Sequence, residues 1–256
     1  MKNKYHMRNL SEQAYYNEYY SGILKPKSKL QKLLYNFQPY IPDARDRILN
    51  VLGDIRDCKV LEIGCGIGYL TEKIKPPYCK ELKAIDISDE CIKITNNLVC
   101  AENFEALVMD ANDMSYADDT FNVVVGSYVL HHIDIKSSIK EISRVLKPDG
   151  IAVFIEPLKG NPISDCWRSL TPEYHTETEC PLTYDDIKSM SVWFNNVDYK
   201  EYNFLTLFSS IFYSNIKLKS KMSNYLMRYD DWFLSKFSIF KKFAGTVQIV
   251  LGDKIK

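Results

Sequence analysis

The sequence predicts an α/β fold: a mostly parallel sheet covered on both faces by helices. From Lys59 onward, short β-rich runs alternate with helical segments. Those runs are apolar almost without a break, as strands buried on both faces must be. The first of them also feeds a glycine turn that opens a helix.

In chain order, residues 1 to about 56 read as helical. They comprise a tyrosine-rich segment around Tyr15, Tyr16, Tyr19 and Tyr20, then Leu30 to Phe37 and Arg45 to Leu52, with Pro39 and Pro42 breaking the pattern. Lys59–Ile63 is the first strand, and Tyr69–Ile74 continues as a helix stopped by Pro76-Pro77. Leu82–Ile85 is the second strand, and Asp89–Cys100 a helix with Ser88 as N-cap. Ala106–Met109 and Phe121–Ser127 are the third and fourth strands. Ile135–Leu146 is an amphipathic helix, and Lys147-Pro148-Asp149-Gly150 turns into a fifth strand, Ile151–Glu156. Beyond Pro157 the alternation fails. A helix at Tyr184–Met190 and strand-like runs at Val197–Phe204 and Phe243–Leu251 flank an aromatic-rich amphipathic stretch, Leu205 to Phe240. Three regions result: an N-terminal helical lid (1–56), a ligand-binding core (57–157), and a C-terminal part (158–256) that carries a substrate-covering insertion.

The chain has 256 residues, 46% hydrophobic and 26% charged, the range of an ordered globular protein. Lysine plus arginine balance aspartate plus glutamate at 33 each. That balance argues against nucleic acid as partner, because neutralising phosphates calls for a basic excess. The seven cysteines show no C-x-x-C spacing and read as reduced thiols. With no signal-like apolar start and no bilayer-length apolar run, the expectation is a cytoplasmic protein without stable membrane insertion.

The central motif is Val60-Leu61-Glu62-Ile63-Gly64-Cys65-Gly66-Ile67-Gly68. Alternate glycines let backbone approach a ligand closely, and the following helix start is expected to present unpaired amides to it. A dinucleotide fingerprint would need its third glycine at position 69, where this chain has Tyr69; here the third glycine is Gly68, and Glu62 stands two before the first.

On these residues the chain resembles the class I S-adenosylmethionine-dependent methyltransferases, whose first motif has the form (D/E)-x-G-x-G-x-G. The other landmarks follow in order over residues 57 to 157: Ile85-Asp86-Ile87-Ser88, Met109-Asp110-Ala111, Phe121 to His132, and Leu146-Lys147-Pro148-Asp149-Gly150. The resemblance implies a Rossmann-like seven-stranded sheet and S-adenosylmethionine as cofactor. It implies that Asp86 grips the ribose hydroxyls and Asp110 the adenine amino group, with further contacts from Glu62, Gly64, Cys65, Gly66, Gly68, Ile87, Ala111 and Ser127. The expected reaction is in-line transfer of a methyl group to oxygen or nitrogen of a small organic acceptor, such as a natural product, saccharide or lipid-like molecule.

His131 and His132 are the candidate bases, since imidazole titrates near neutrality; hydrogen-bonded structural roles stand beside that reading. Residues 171–180, which include His175, Glu179 and Cys180, read as an acceptor-side loop with no metal site. The stretch Asn203–Phe243 reads as a core-covering helix pair, with a lid, a homodimer face or, given the lysines at 217, 219, 221, 236, 241 and 242, a lipid contact as alternatives. An S-adenosylmethionine-binding regulatory protein without transferase activity is the alternative function, and a nicotinamide-dependent dehydrogenase is disfavoured by Tyr69.

Overall fold

The seven strands of the sheet are β1 (Lys59–Ile63), β2 (Glu81–Asp86), β3 (Phe104–Val108), β4 (Phe121–Ser127), β5 (Leu146–Pro157), β6 (Phe194–Tyr202) and β7 (Thr246–Lys254), in spatial order β3-β2-β1-β4-β5-β7-β6. The computed structural model describes residues 2–21, 45–172, 175, 176, 178–212 and 216–255. The expected helix over 30–37 and the prolines at 39 and 42 lie outside them. β1 to β5 pair in parallel, and β7 runs antiparallel between β5 and β6.

Each parallel strand is followed by a crossover, so both faces are covered. Along β1, Leu61 and Ile63 enter one core with Val124, Phe154 and Ile142, while Val60 enters the other with Ile48, Val123 and Val153. The side-chain period of two divides each strand between two buried faces. The helices so far are α1 (Lys2–Tyr20), α2 (Arg45–Leu52), α3 (Thr71–Ile74), α4 (Asp89–Leu98) and α5 (Ile135–Val145). Ser88 caps α4 as expected, its side chain accepting from the Cys91 amide.

The later elements differ more from the sequence pattern. α6 (Pro162–Leu170) lies in the stretch beyond Pro157 where the strand-helix alternation fails. Its start was nonetheless written in the sequence: Asn161 accepts from the amides of Ile163 and Ser164, and Pro162 occupies the first turn. α7 (Tyr184–Ser189) opens on a capping box between Thr183 and Asp186. The aromatic stretch splits into a 3-10 segment Leu205–Phe212, α8 (Ile216–Lys236) and a 3-10 segment Ser238–Phe243. Buried Asp230 on α8 accepts from the amides of Phe204 and Leu205, and Phe204, Phe233 and Phe240 cluster beside it. Among the described residues, no helix is long and apolar enough to cross a membrane.

Candidate active site

β1 ends at Ile63, and the chain turns back through Gly64 and Gly66, with φ of +67° and +52°. A side chain at Gly64 would collide with Val129, so only glycine lets this turn pack beneath the loop after β4. The amides expected to face the ligand are largely engaged already. Those of Gly64 and Cys65 donate to the carbonyl of Ile85, and that of Gly66 donates to Asp86 Oδ2 at 2.8 Å. The turn therefore braces β2 and the Asp86 carboxylate, and offers a ligand room rather than free donors. The helix it opens, α3, is four residues long.

A cavity of about 320 Å³ lies over the carboxyl ends of β1, β2 and β4. Nine of the ten expected cofactor contacts line it: Glu62, Gly64, Cys65, Gly66, Asp86, Ile87, Asp110, Ala111 and Ser127. Gly68 does not; its α-carbon faces Thr95 and Leu98 of α4, so its role is to let that helix pack against the turn. His132 lines the cavity, whereas His131 points away from it.

The carboxylates differ in what already holds them. Asp86 Oδ1 accepts from the Ser88 amide at 2.9 Å and Oδ2 from Gly66, so the carboxylate is fixed in place with lone pairs to spare for hydroxyl donors. Burial raises its pKa, against the pull of these amides. Asp110 accepts from the Asn112 amide at 2.9 Å and also from Asn9. Glu62 is 2% exposed, with Oε2 lacking any hydrogen-bond partner. Burial pushes its pKa up to about 8. Glu62 with one unpartnered oxygen, a fixed acid ending β2 and a third acid after β3 form an acceptor set suited to a cationic nucleoside. The residues present fit S-adenosylmethionine.

The N-terminal helix closes the cavity. Asn9, Glu12, Tyr16 and Tyr20 recur at helical spacing on one face of α1, and all four line it. Asn17 ties the same helix to Asp89 and Ser88 at the start of α4. Tyr16 sets its hydroxyl 2.9 Å from His132 Nε2, while Glu12 Oε2 stands 3.3 Å from His132 Nδ1. Glu12 also accepts from Thr176 and Thr178, and Arg8 donates to the Thr178 carbonyl at 3.1 Å. Burial opposes ionisation of Glu12, but the nearby His132 and the bonds from Thr176 and Thr178 outweigh it and keep its pKa low.

The two histidines have different work. His131 is buried, and its Nδ1 lies 2.7 Å from Glu156 Oε2, while Glu156 Oε1 accepts from the amides of Val129 and Leu130 at 2.9 Å. Burial holds His131 well below the usual imidazole range and pushes Glu156 up to about 7. This pair fixes the loop after β4. Glu179 approaches both histidines, and one ligand atom from each of the three lies within 4.8 Å of the others. Its oxygens already accept from Arg168 Nε at 3.2 Å and His175 Nδ1 at 3.0 Å. Any cation there would have to displace these partners.

Sequence reasoning missed Asn9, Glu12, Arg8, Glu156 and Glu179. A charged residue closing the apolar run of β5 was a signal for Glu156, and the one-face spacing on α1 a signal for Asn9 and Glu12. Nothing in the sequence pointed Glu179 toward the histidines.

The open α/β sheet places its ligand crevice at the strand ends, where the glycine turn braces an acid and α1 covers the cavity. Residues 61–154 of the chain match the family model described as methyltransferase domain. Among curated proteins it is similar to the uncharacterised methyltransferase YcgJ of Bacillus subtilis, 28% identical over 102 residues, covering 38% of this chain and 40% of that one. It is also similar to ajmaline N-methyltransferase of Rauvolfia serpentina, 32% identical over 119 residues, covering 44% and 40%. The chain thus spans less than half the length of these two relatives. Among solved structures, Haemonchus contortus phosphoethanolamine N-methyltransferase 2, in complex with phosphomonomethylethanolamine and S-adenosylhomocysteine, superposes with a TM-score of 0.58 at 14% identity, over 87% of this chain and 57% of that one. That likeness concerns the fold.

Proposed function

We propose that this chain methylates an oxygen or nitrogen of a small organic acceptor, with S-adenosylmethionine as donor and His132 as the base. The observation that carries the reading is the Glu12, His132, Tyr16 relay opening into the cavity that also holds Asp86, Asp110 and Glu62. When bound, the cofactor supplies a methyl group already activated by a positively charged sulfur. The chain's own residues supply position, dryness and a proton acceptor.

With Glu12 ionised, His132 keeps its proton on Nδ1 and presents the Nε2 lone pair toward the Tyr16 hydroxyl. An acceptor held beside His132 would pass its proton to Nε2, directly or through that hydroxyl, and would take the methyl group from a bound donor with the carbon–sulfur electron pair staying on sulfur. The resulting imidazolium is stabilised by Glu12 behind it. Asp86, Asp110 and Glu62 orient the donor, and α1 excludes water. The balanced charge and the small-molecule names of the ajmaline and phosphoethanolamine enzymes support a small acceptor over a nucleic acid.

The test is turnover. The purified chain is incubated with S-adenosylmethionine and panels of amines, phenols, sugars and short-chain lipids, and S-adenosylhomocysteine is measured by mass spectrometry. Acceptor-dependent product that disappears in His132→Asn supports the proposal. Tight cofactor binding with no product from any panel favours a regulatory cofactor-binding protein, and tight binding of a nicotinamide dinucleotide instead overturns the reading.

A further inference from the structure

The outward face of α8 has no use in the chemistry above, yet its composition is one-sided. Buried Ser223, Asp230 and Leu234 face the 3-10 segment Leu205–Phe212 and the sheet edge. On the opposite side Tyr225, Tyr229 and Trp232 follow one another at helical spacing, about half exposed at 55%, 47% and 56%. Phe237 and Ile239, just past the helix, are 47% and 68% exposed and extend the patch. Lys221, Arg228 and Lys236 are exposed on the same side. The exposed acid on this helix, Asp231, lies off the stripe and pairs with Arg47 and Lys200.

From this face we infer that α8 and the turn after it rest on the surface of an anionic lipid bilayer. Amphipathic aromatic rings favour the headgroup boundary, and lysine and arginine among them are attracted by acidic headgroups. Two copies of this face brought together would set Lys221, Arg228 and Lys236 against their own counterparts, which disfavours a self-associating dimer. The protruding aliphatic Ile239, with Phe237, gains more from acyl chains than from stacked bases. Topology gives the contact a purpose. β6 ends at Tyr202 opposite the start of β7 at Thr246, beside the carboxyl end of β5 at Pro157. The insertion carrying α8 therefore emerges at the same end of the sheet as the cavity, and a chain lying on its α8 face holds that end near the membrane.

The experiment is co-sedimentation of the full chain with vesicles of phosphatidylcholine alone or mixed with phosphatidylglycerol, at low and high salt, in the absence of S-adenosylmethionine. Because no methyl transfer is read, failure here is separate from failure of the proposed reaction. Binding is expected only with phosphatidylglycerol, and to weaken with salt. The triple variant K221E/R228E/K236E should lose about 100-fold in affinity, at about a fivefold loss for each basic residue removed near the surface. Trp232→Ser with Ile239→Ser should also release the protein, with the melting temperature unchanged in both variants. Equal binding to neutral vesicles, no binding to either, a dimer dissociated by the same substitutions, or preferential binding of a short RNA would each overturn the inference.

Discussion

The hydroxyl of Tyr16 lies 2.9 Å from Nε2 of His132, a residue 116 positions further along the chain. A residue of the N-terminal helix thus meets the loop after β4 at the wall of the cofactor cavity, and Glu12, one turn earlier, stands at the other nitrogen of the same ring. In the proposed reaction His132 is the base, with Glu12 3.3 Å from Nδ1 and Tyr16 of α1 covering Nε2.

Replacing His132 by Asn should lower kcat by about 10² to 10⁴, the usual contribution of a general base. Tyr16→Phe, which loses one hydrogen bond, should cost about tenfold. Calorimetry should find cofactor affinity within a few-fold of the parent in both, because neither side chain is assigned to the donor.

His131 should behave differently. His131→Ala removes a buried donor from Glu156 and should cost about 1–3 kcal/mol of stability, read from denaturant unfolding. At a temperature where the variant stays folded, its turnover should exceed that of His132→Asn. The reverse order would exchange the two roles.

Stability and cofactor binding should both depend on pH through Glu62. Its folded pKa of about 8 lies above the ordinary glutamate value, so between the two the folded chain retains a proton that the unfolded chain has lost. Its contribution is therefore fully present below the ordinary carboxylate range and is lost as pH rises toward about 8. Glu156, raised to about 7, acts in the same direction. His131, held below its ordinary value, works the other way up to about pH 6.5; above that the melting temperature should fall toward pH 8, and less steeply in Glu62→Gln. A cationic ligand near Glu62 favours its ionised form. Cofactor titration at pH 7 should therefore release protons, seen as a heat that varies with the buffer's ionisation enthalpy and is reduced in Glu62→Gln.

Asp86→Asn keeps the size of the side chain but removes its charge and one acceptor from the Gly66 and Ser88 amides. The dissociation constant for S-adenosylmethionine should rise roughly 10–100-fold by calorimetry, the worth of hydrogen bonds to a charged group. An unchanged constant would remove Asp86 from the donor site.

Gly64→Ala should destabilise the chain by about 2–4 kcal/mol, since an alanine at φ +67° is strained and its methyl strikes Val129. Chemical denaturation measures this directly. Gly252→Ala, with open space around its α-carbon, is the control.

The strands β1 to β5, the glycine turn and the acids ending β2 and β3 were all legible in the residues themselves. Apolar runs, glycines and caps act over a few residues, and the short-range signal is strong where strands are buried on both faces. The sequence also marked both histidines and a tyrosine-rich N-terminal helix, but without their division of labour. That division depends on Glu156 reaching back 25 residues to His131 and on Glu12 and Tyr16 reaching forward to His132. The engaged state of the glycine-turn amides was likewise hidden, because their acceptors, the Ile85 carbonyl and the Asp86 carboxylate, belong to the neighbouring strand. Local chemistry thus determined by itself which elements form and which residues end the strands. Only the packed structure decided which histidine lines the cavity and which carboxylates are held, because those depend on partners that are distant in the chain and adjacent only once the sheet and its covering helices have closed.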